Sequence, residues 1–119
     1  MIRPDTLEKQ VKIVYLSIGS NLGNRFYNIE NTKYKLSEND IKIIKSSNYY
    51  ETLSWPNPKK PKFYNIVLKV ETKLSAKELL YICKKIEKSL GRKKTSKNSP
   101  RECDIDIICL LYTSDAADE

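Results

Sequence analysis

A chain of 119 residues, 39% hydrophobic and 31% charged, is long enough for one domain with a single core and too apolar for a disordered segment. It has no histidine, which excludes imidazole bases and imidazole metal ligands, so any chemistry must run on carboxylates, cations and bound metal. A formal net charge of +7 calls for an anionic partner; ATP phosphates and nucleic acid both qualify, with a solvated basic loop as the plain alternative.

Residues 1 to 10 are polar and aperiodic and read as a flexible arm or linker ahead of a domain spanning 11 to 112. Val11 to Ile18 is a β-branched and aromatic run that predicts the first strand, broken at Gly19-Ser20-Asn21-Leu22-Gly23. Asn24 is placed to cap a helix whose apolar face is Phe26, Ile29 and Leu36, with Tyr34 nearby, and which ends at Asn39-Asp40. Ile41 opens a second strand expected to continue to Tyr50 or Thr52. Leu53 to Lys62 holds three prolines and Trp55 and cannot be regular structure. Trp55 there needs either something flat to cover or a place as a plug on the core.

Tyr64 to Lys73 alternates as a third strand. Ser75-Ala76-Lys77-Glu78 is a capping box, and Leu79, Ile82, Cys83, Ile86 and Leu90 mark one face of the helix it starts, up to Gly91. Lys84 and Glu87, one turn apart, read as a surface ion pair. Residues 92 to 98 form a basic loop: the stretch from Lys84 through Arg101, both included, holds eight Lys or Arg and one acid. Residues 102 to 112 form the last strand, and 113 to 119 turn small, acidic and aperiodic, a foreign or disordered tail. Strand, helix, strand, strand, helix, strand is the order of a ferredoxin-like α+β sandwich, an antiparallel sheet with both helices on one face.

Cys83, Cys103 and Cys109 are odd in number, occupy apolar positions and form no Cys-x-x-Cys, which points to buried thiols rather than disulfides or zinc. No apolar run has the length of a membrane span, and Met1-Ile2-Arg3-Pro4-Asp5 lacks the apolar stretch of a secretory signal, so a cytoplasmic setting is expected.

In the last strand, side-chain alternation puts Asp104 and Asp106 on one face and Cys103, Ile105 and Ile107 on the other. Their β-carbons would be about 7 Å apart, too close for two bare charges at a partly dry site. Magnesium held by carboxylates and substrate phosphates would answer that, with Arg101 on a phosphate oxygen. The plain alternative is a strand with its acids in water.

Three segments in order, Gly19-Ser20-Asn21-Leu22-Gly23-Asn24-Arg25, Tyr50-Glu51-Thr52 with Phe63-Tyr64-Asn65, and Lys97-Asn98-Ser99-Pro100-Arg101-Glu102-Cys103-Asp104-Ile105-Asp106-Ile107-Ile108, resemble the 2-amino-4-hydroxy-6-hydroxymethyldihydropteridine pyrophosphokinases of folate synthesis. The resemblance covers roughly residues 12 to 111. It implies transfer of a pyrophosphoryl group from ATP to the hydroxymethyl group of 6-hydroxymethyl-7,8-dihydropterin, releasing AMP. It also implies two magnesium ions on Asp104 and Asp106.

By the same resemblance, Lys84, Glu87, Arg92, Lys94, Lys97, Arg101 and Ile107 match nucleotide contacts, Arg92 and Arg101 being the phosphate-holding catalytic pair beside Asp104 and Asp106. Thr52, Leu53, Ser54, Trp55, Phe63 and Asn65 match the pterin pocket, and the Gly19 turn lies beside it. Asn98 and Ser99 stand where the family has tryptophan and glycine, which weakens the expected lid. Family members run on well past residue 112, so the chain reads as C-terminally truncated, and fusion to or association with other folate enzymes is left open. The rivals are a basic ferredoxin-like nucleic-acid module and a nucleotide-binding remnant without activity. The acidic pair and the missing aromatic-glycine signature both count against the first.

Overall fold

The computed structural model describes residues 10–91 and 100–112. Its elements are β1 (Lys12–Ser20), α1 (Arg25–Glu38), β2 (Ile41–Ser46), β3 (Tyr50–Thr52), β4 (Phe63–Thr72), α2 (Ala76–Ser89) and β5 (Asp104–Tyr112). The sheet is antiparallel in the order β2-β4-β1-β5, with β3 pairing the same edge of β4 as β2 does. With β2 and β3 counted as one interrupted strand, this is the expected ferredoxin-like α+β sandwich.

Period-two alternation builds the core. Val14, Leu16 and Ile18 of β1, Ile66, Leu68 and Val70 of β4, and Ile105 of β5 all point to one face, where they meet Ile29 and Leu36 of α1 and Leu79, Cys83 and Ile86 of α2. Each such side chain contributes about 1.5–3 kcal/mol on burial, so this layer holds the fold together. Among the described residues the opposite face of the sheet carries no helix.

Local chemistry starts and stops the helices. Asn24 accepts from the Tyr27 N–H to cap α1. Ser75 and Glu78 form the reciprocal capping box of α2, as expected. Past the C-cap of α2 at Leu90, Gly91 takes a left-handed φ of 107°, and a β-carbon there would strike the Glu102 carboxyl at 3.0 Å.

Five expectations are corrected. Cys83 and Cys103 are buried thiols, but Cys109 is exposed, because it pairs with Tyr15 on the side of the sheet away from the core. β1 runs through Gly19 and Ser20 rather than breaking at them, because Gly19 is laddered on both sides, to Asn65 and to Asp104. The strand after Ile41 is split at residues 47–49: Ser47 Oγ, not a backbone carbonyl, takes the Val67 N–H at 2.8 Å, which interrupts the ladder. The buried stripe of α1 is Ile29, Thr32 and Leu36, while Phe26 and Tyr34 are exposed. Glu87 is not on the surface: it is buried in α2, and its Oε2 accepts the Ile105 N–H of β5 at 2.7 Å.

Candidate active site

The C-terminal end of β1 organises the sheet face turned away from α1 and α2. Residues opposite one another across antiparallel strands share a face, so Asn65 of β4, Gly19 of β1 and Asp104 of β5 form one row, with Tyr50 of β3 beyond Asn65. The next row is Val67, Ser17 and Asp106. Asp104 and Asp106 therefore do point to one side, with Ile105 buried on the other. Strands lie about 4.8 Å apart, so Asn65 and Asp104 stand roughly 10 Å from each other across a residue that has no side chain.

Phe63 and Asn65 lean over that gap. A β-carbon on Gly19 would lie 3.0 Å from Asn65 Oδ1 and 3.1 Å from Phe63 Cδ1, so glycine is what lets both side chains settle there. Asn65 Nδ2 donates to Thr52 Oγ1 at 2.9 Å and to the Tyr50 carbonyl at 3.3 Å, which turns its Oδ1 toward Gly19.

At the other end of the row Arg101 donates through Nη1 to Asp104 Oδ1 at 3.2 Å, both side chains about three-quarters buried. The Arg101 main chain is held by Asn21, whose Oδ1 accepts the Arg101 N–H at 2.7 Å and whose own N–H donates to the Arg101 carbonyl at 3.0 Å. Asn21 Nδ2 donates to Ser54 Oγ and to the Pro61 carbonyl, both at 3.1 Å, and Ser54 also donates to the Pro61 carbonyl. The irregular segment between β3 and β4 is thus tied back to the end of β1.

Arg25, at the start of α1, donates to Glu51 Oε2 and to the Lys62 carbonyl, each at 3.0 Å, and lies 3.9 Å over the Tyr64 ring. It braces the entry to β4 immediately before Phe63. Behind it Tyr49 stacks on Phe26 with centroids 5.0 Å apart and donates to Glu30. That bond holds the Glu30 carboxyl below its ordinary range, while burial first and the same bond second push the Tyr49 phenol up. The Cys83 and Cys103 thiols are pushed up to about 12, chiefly by burial, with the charge of Glu87 adding to both.

Of the residues singled out from sequence, Thr52, Phe63, Asn65, Arg101, Asp104 and Asp106 come together on or beside this face. Ser54 is buried in the Asn21 cluster, Leu53 is exposed, and Trp55 is 77% exposed, which rules out a plug on the core. Lys84 is exposed, 3.9 Å from the Glu87 carboxylate. Ile107 packs partly on the core, on the helix side of the sheet. Arg92, Lys94, Lys97 and Asn98 lie outside the described residues, as do the expected arm, except its last residue, and the tail. Sequence reasoning missed Asn21, Arg25 and the bracing role of Glu87; the first two sat inside a quoted motif.

Among the described residues no group of three or more acidic or thiol side chains could hold a metal. The donor set is two carboxylates on one strand face. Among them too, no helix is long and apolar enough to cross a membrane.

Comparison with known proteins speaks for the fold and the family. The fold is similar to the crystal structure of an unknown protein from Galdieria sulphuraria, with a TM-score of 0.51 over 96% of this chain and 53% of that one; at 14% identity the likeness speaks for fold alone. In sequence the chain is 46% identical over 99 residues to the 2-amino-4-hydroxy-6-hydroxymethyldihydropteridine pyrophosphokinase of Aquifex aeolicus, covering 83% of this chain and 60% of that protein. It is 44% identical over 95 residues to the folic acid synthesis protein fol1 of Pneumocystis carinii, covering 80% and 13%. To the mitochondrial folate synthesis bifunctional protein of Pisum sativum it is 32% identical over 102 residues, covering 86% and 20%. The chain thus spans less than two thirds of each of these relatives, from 13% to 60% of their length. Residues 15–113 match the model of the 7,8-dihydro-6-hydroxymethylpterin-pyrophosphokinase family, and the chain belongs to that family.

Proposed function

We propose that this chain transfers a pyrophosphoryl group from ATP to the hydroxymethyl oxygen of 6-hydroxymethyl-7,8-dihydropterin, releasing AMP. The observation that carries the reading is the row Asn65, Gly19, Asp104. An amide suited to the pterin's donor and acceptor edge and a carboxylate suited to a phosphate-bound cation face each other across a gap that fits a bicyclic ring with its hydroxymethyl arm. In the reaction the hydroxymethyl oxygen bonds to the β-phosphorus, the bond from that phosphorus to the α,β-bridging oxygen breaks with the oxygen and its electron pair leaving on AMP, and the hydroxyl proton passes to solvent.

The residues divide the work. Asn65 reads the pterin edge and Phe63 offers its ring, with Thr52 fixing the Asn65 amide. Leu53, Ser54 and Trp55 belong to the flanking segment, and the exposure of Trp55 leaves its ring ready to cover a flat ligand. Arg101 and Arg92 hold phosphate oxygens, and Lys84, Lys94 and Lys97 supply charge around them. Glu87 keeps β5, and with it Asp104 and Asp106, seated on α2.

Among the described residues no third acidic or thiol side chain joins these two carboxylates, a donor set that suits a hard cation completing its shell with water and phosphate oxygens, so Asp104 and Asp106 fit two magnesium ions. Bound there, the ions neutralise charge on the transferring phosphates. The free thiols Cys83, Cys103 and Cys109 suit a reducing, cytoplasmic setting, and the multifunctional relatives make fusion to or association with other folate enzymes part of the proposal.

The test is AMP release from magnesium-ATP with and without the pterin. Pterin-dependent AMP is expected, falling by roughly 10²–10³ in Asp106→Asn, since several kcal/mol of charge stabilisation goes with the ligand. Pterin-independent release, or near-normal turnover in that variant, overturns the assignment.

A further inference from the structure

We infer that Asn21 is a positioning residue that sets the separation between the two halves of the site, a role that rests on the pyrophosphokinase reading. Asn21 is 3% exposed, and its main-chain N–H, Oδ1 and Nδ2 each find partners across the fold. Its main-chain N–H and Oδ1 close a two-bond ring with Arg101, at 3.0 and 2.7 Å. Its two amide hydrogens go the other way, to Ser54 Oγ and the Pro61 carbonyl. One side chain thus joins the residue that carries the phosphate-side guanidinium to the segment that flanks Phe63 and Thr52.

Only a primary amide of this length does both. Aspartate keeps the acceptor that faces Arg101 but cannot donate to Pro61, and alanine loses both links. A buried joint of this kind has consequences for the chemistry, because an ångström of misplacement between reacting groups costs on the order of 100-fold in rate. Asn21 spends its polar side-chain atoms on Arg101, Ser54 and Pro61 and so acts through them.

The experiment compares Asn21→Ala and Asn21→Asp with the unaltered chain by amide hydrogen exchange and by steady-state kinetics for each substrate. In Asn21→Ala, exchange at the Arg101 amide rises at least tenfold while core amides such as Leu16 and Leu68 keep their protection, and kcat falls by roughly 10–100-fold. In Asn21→Asp the Arg101 amide stays protected, and the loss moves to the pterin KM, with the ATP KM within about threefold. Unchanged protection of Arg101 in Asn21→Ala, or a uniform rise across all amides in both variants, overturns the inference. Should Asn21→Ala fail to fold, the Asn21→Asp split decides. An unaltered chain that forms no AMP refutes the functional reading, and the exchange rates then decide whether Asn21 holds Arg101.

Discussion

Adding one methyl group at Gly19 separates recognition from stability. In Gly19→Ala the new carbon stands 3.0 Å from Asn65 Oδ1 and 3.1 Å from Phe63 Cδ1, against a comfortable contact of about 3.5–4.0 Å, so both side chains must retreat by roughly half an ångström or more. The nearest main-chain atom, the Tyr64 carbonyl oxygen, is 3.6 Å away and need not move. Overpacking a sealed core costs about 1–3 kcal/mol, but Phe63 and Asn65 are only half-buried and can turn outward. Gly19 is not among the positive-φ positions, so alanine is unstrained there and recovers about 0.4–1 kcal/mol of unfolded-chain entropy. Net stability should therefore change by less than about 1 kcal/mol. Pterin affinity should fall about 10- to 100-fold, because displacing Asn65 costs hydrogen bonds worth about 1–3 kcal/mol. Calorimetric titration with the pterin and, separately, with magnesium-ATP, alongside thermal unfolding, reads all three quantities. A folded variant that binds pterin as the parent does, or loses ATP affinity to the same degree, refutes the placement of the pterin over Gly19.

Two further outcomes follow from the buried groups. Stability should decline as pH rises from about 9 toward 12, because the Cys83 and Cys103 thiols stay protonated to about 12 when folded but ionise near 9.0 when unfolded. Tyr49 acts in the same direction, Cys83→Ala and Cys103→Ala should each flatten the decline, and urea midpoints from pH 8 to 10.5 that stay level would contradict it. Glu87→Ala should cost about 1.5–3 kcal/mol by stripping the Ile105 N–H of its charged acceptor, and Glu87→Gln markedly less because a carbonyl oxygen remains; equal losses in urea unfolding would deny the bond its role.

The elements most legible in the sequence are those whose cause is local. Ser75 and Glu78 are three residues apart and cap α2 by themselves, and the alternation of β4 needs only its own ten residues. What misled was also local. A glycine inside an apolar run is read as a break, yet Gly19 is paired on both sides by strands 46 and 85 positions away, and nothing near it in sequence announces them. The length of β2 failed for a similar reason: Ser47 looks like any strand serine until Val67 arrives opposite it.

The same division runs through the site. The face shared by Asp104 and Asp106 follows from a two-residue period and was readable at once. Phe63 and Asn65 were found only through a family pattern, because their relation to Gly19 exists only once β4 lies beside β1. Asn21 and Glu87 show the limit more sharply. Each is a polar residue whose job is done on main-chain atoms of another element, Arg101 for one and Ile105 for the other, and main-chain atoms leave no trace in residue identity. Such residues differ from surface polar residues only in what must follow their removal: a buried N–H loses its acceptor, and the strand or turn that presents a functional side chain loses its seat. In this chain both of those seats hold the stretch from Arg101 to Asp106, so the proposed phosphate side of the site depends on two side chains lying 80 and 18 residues away from the atoms they hold.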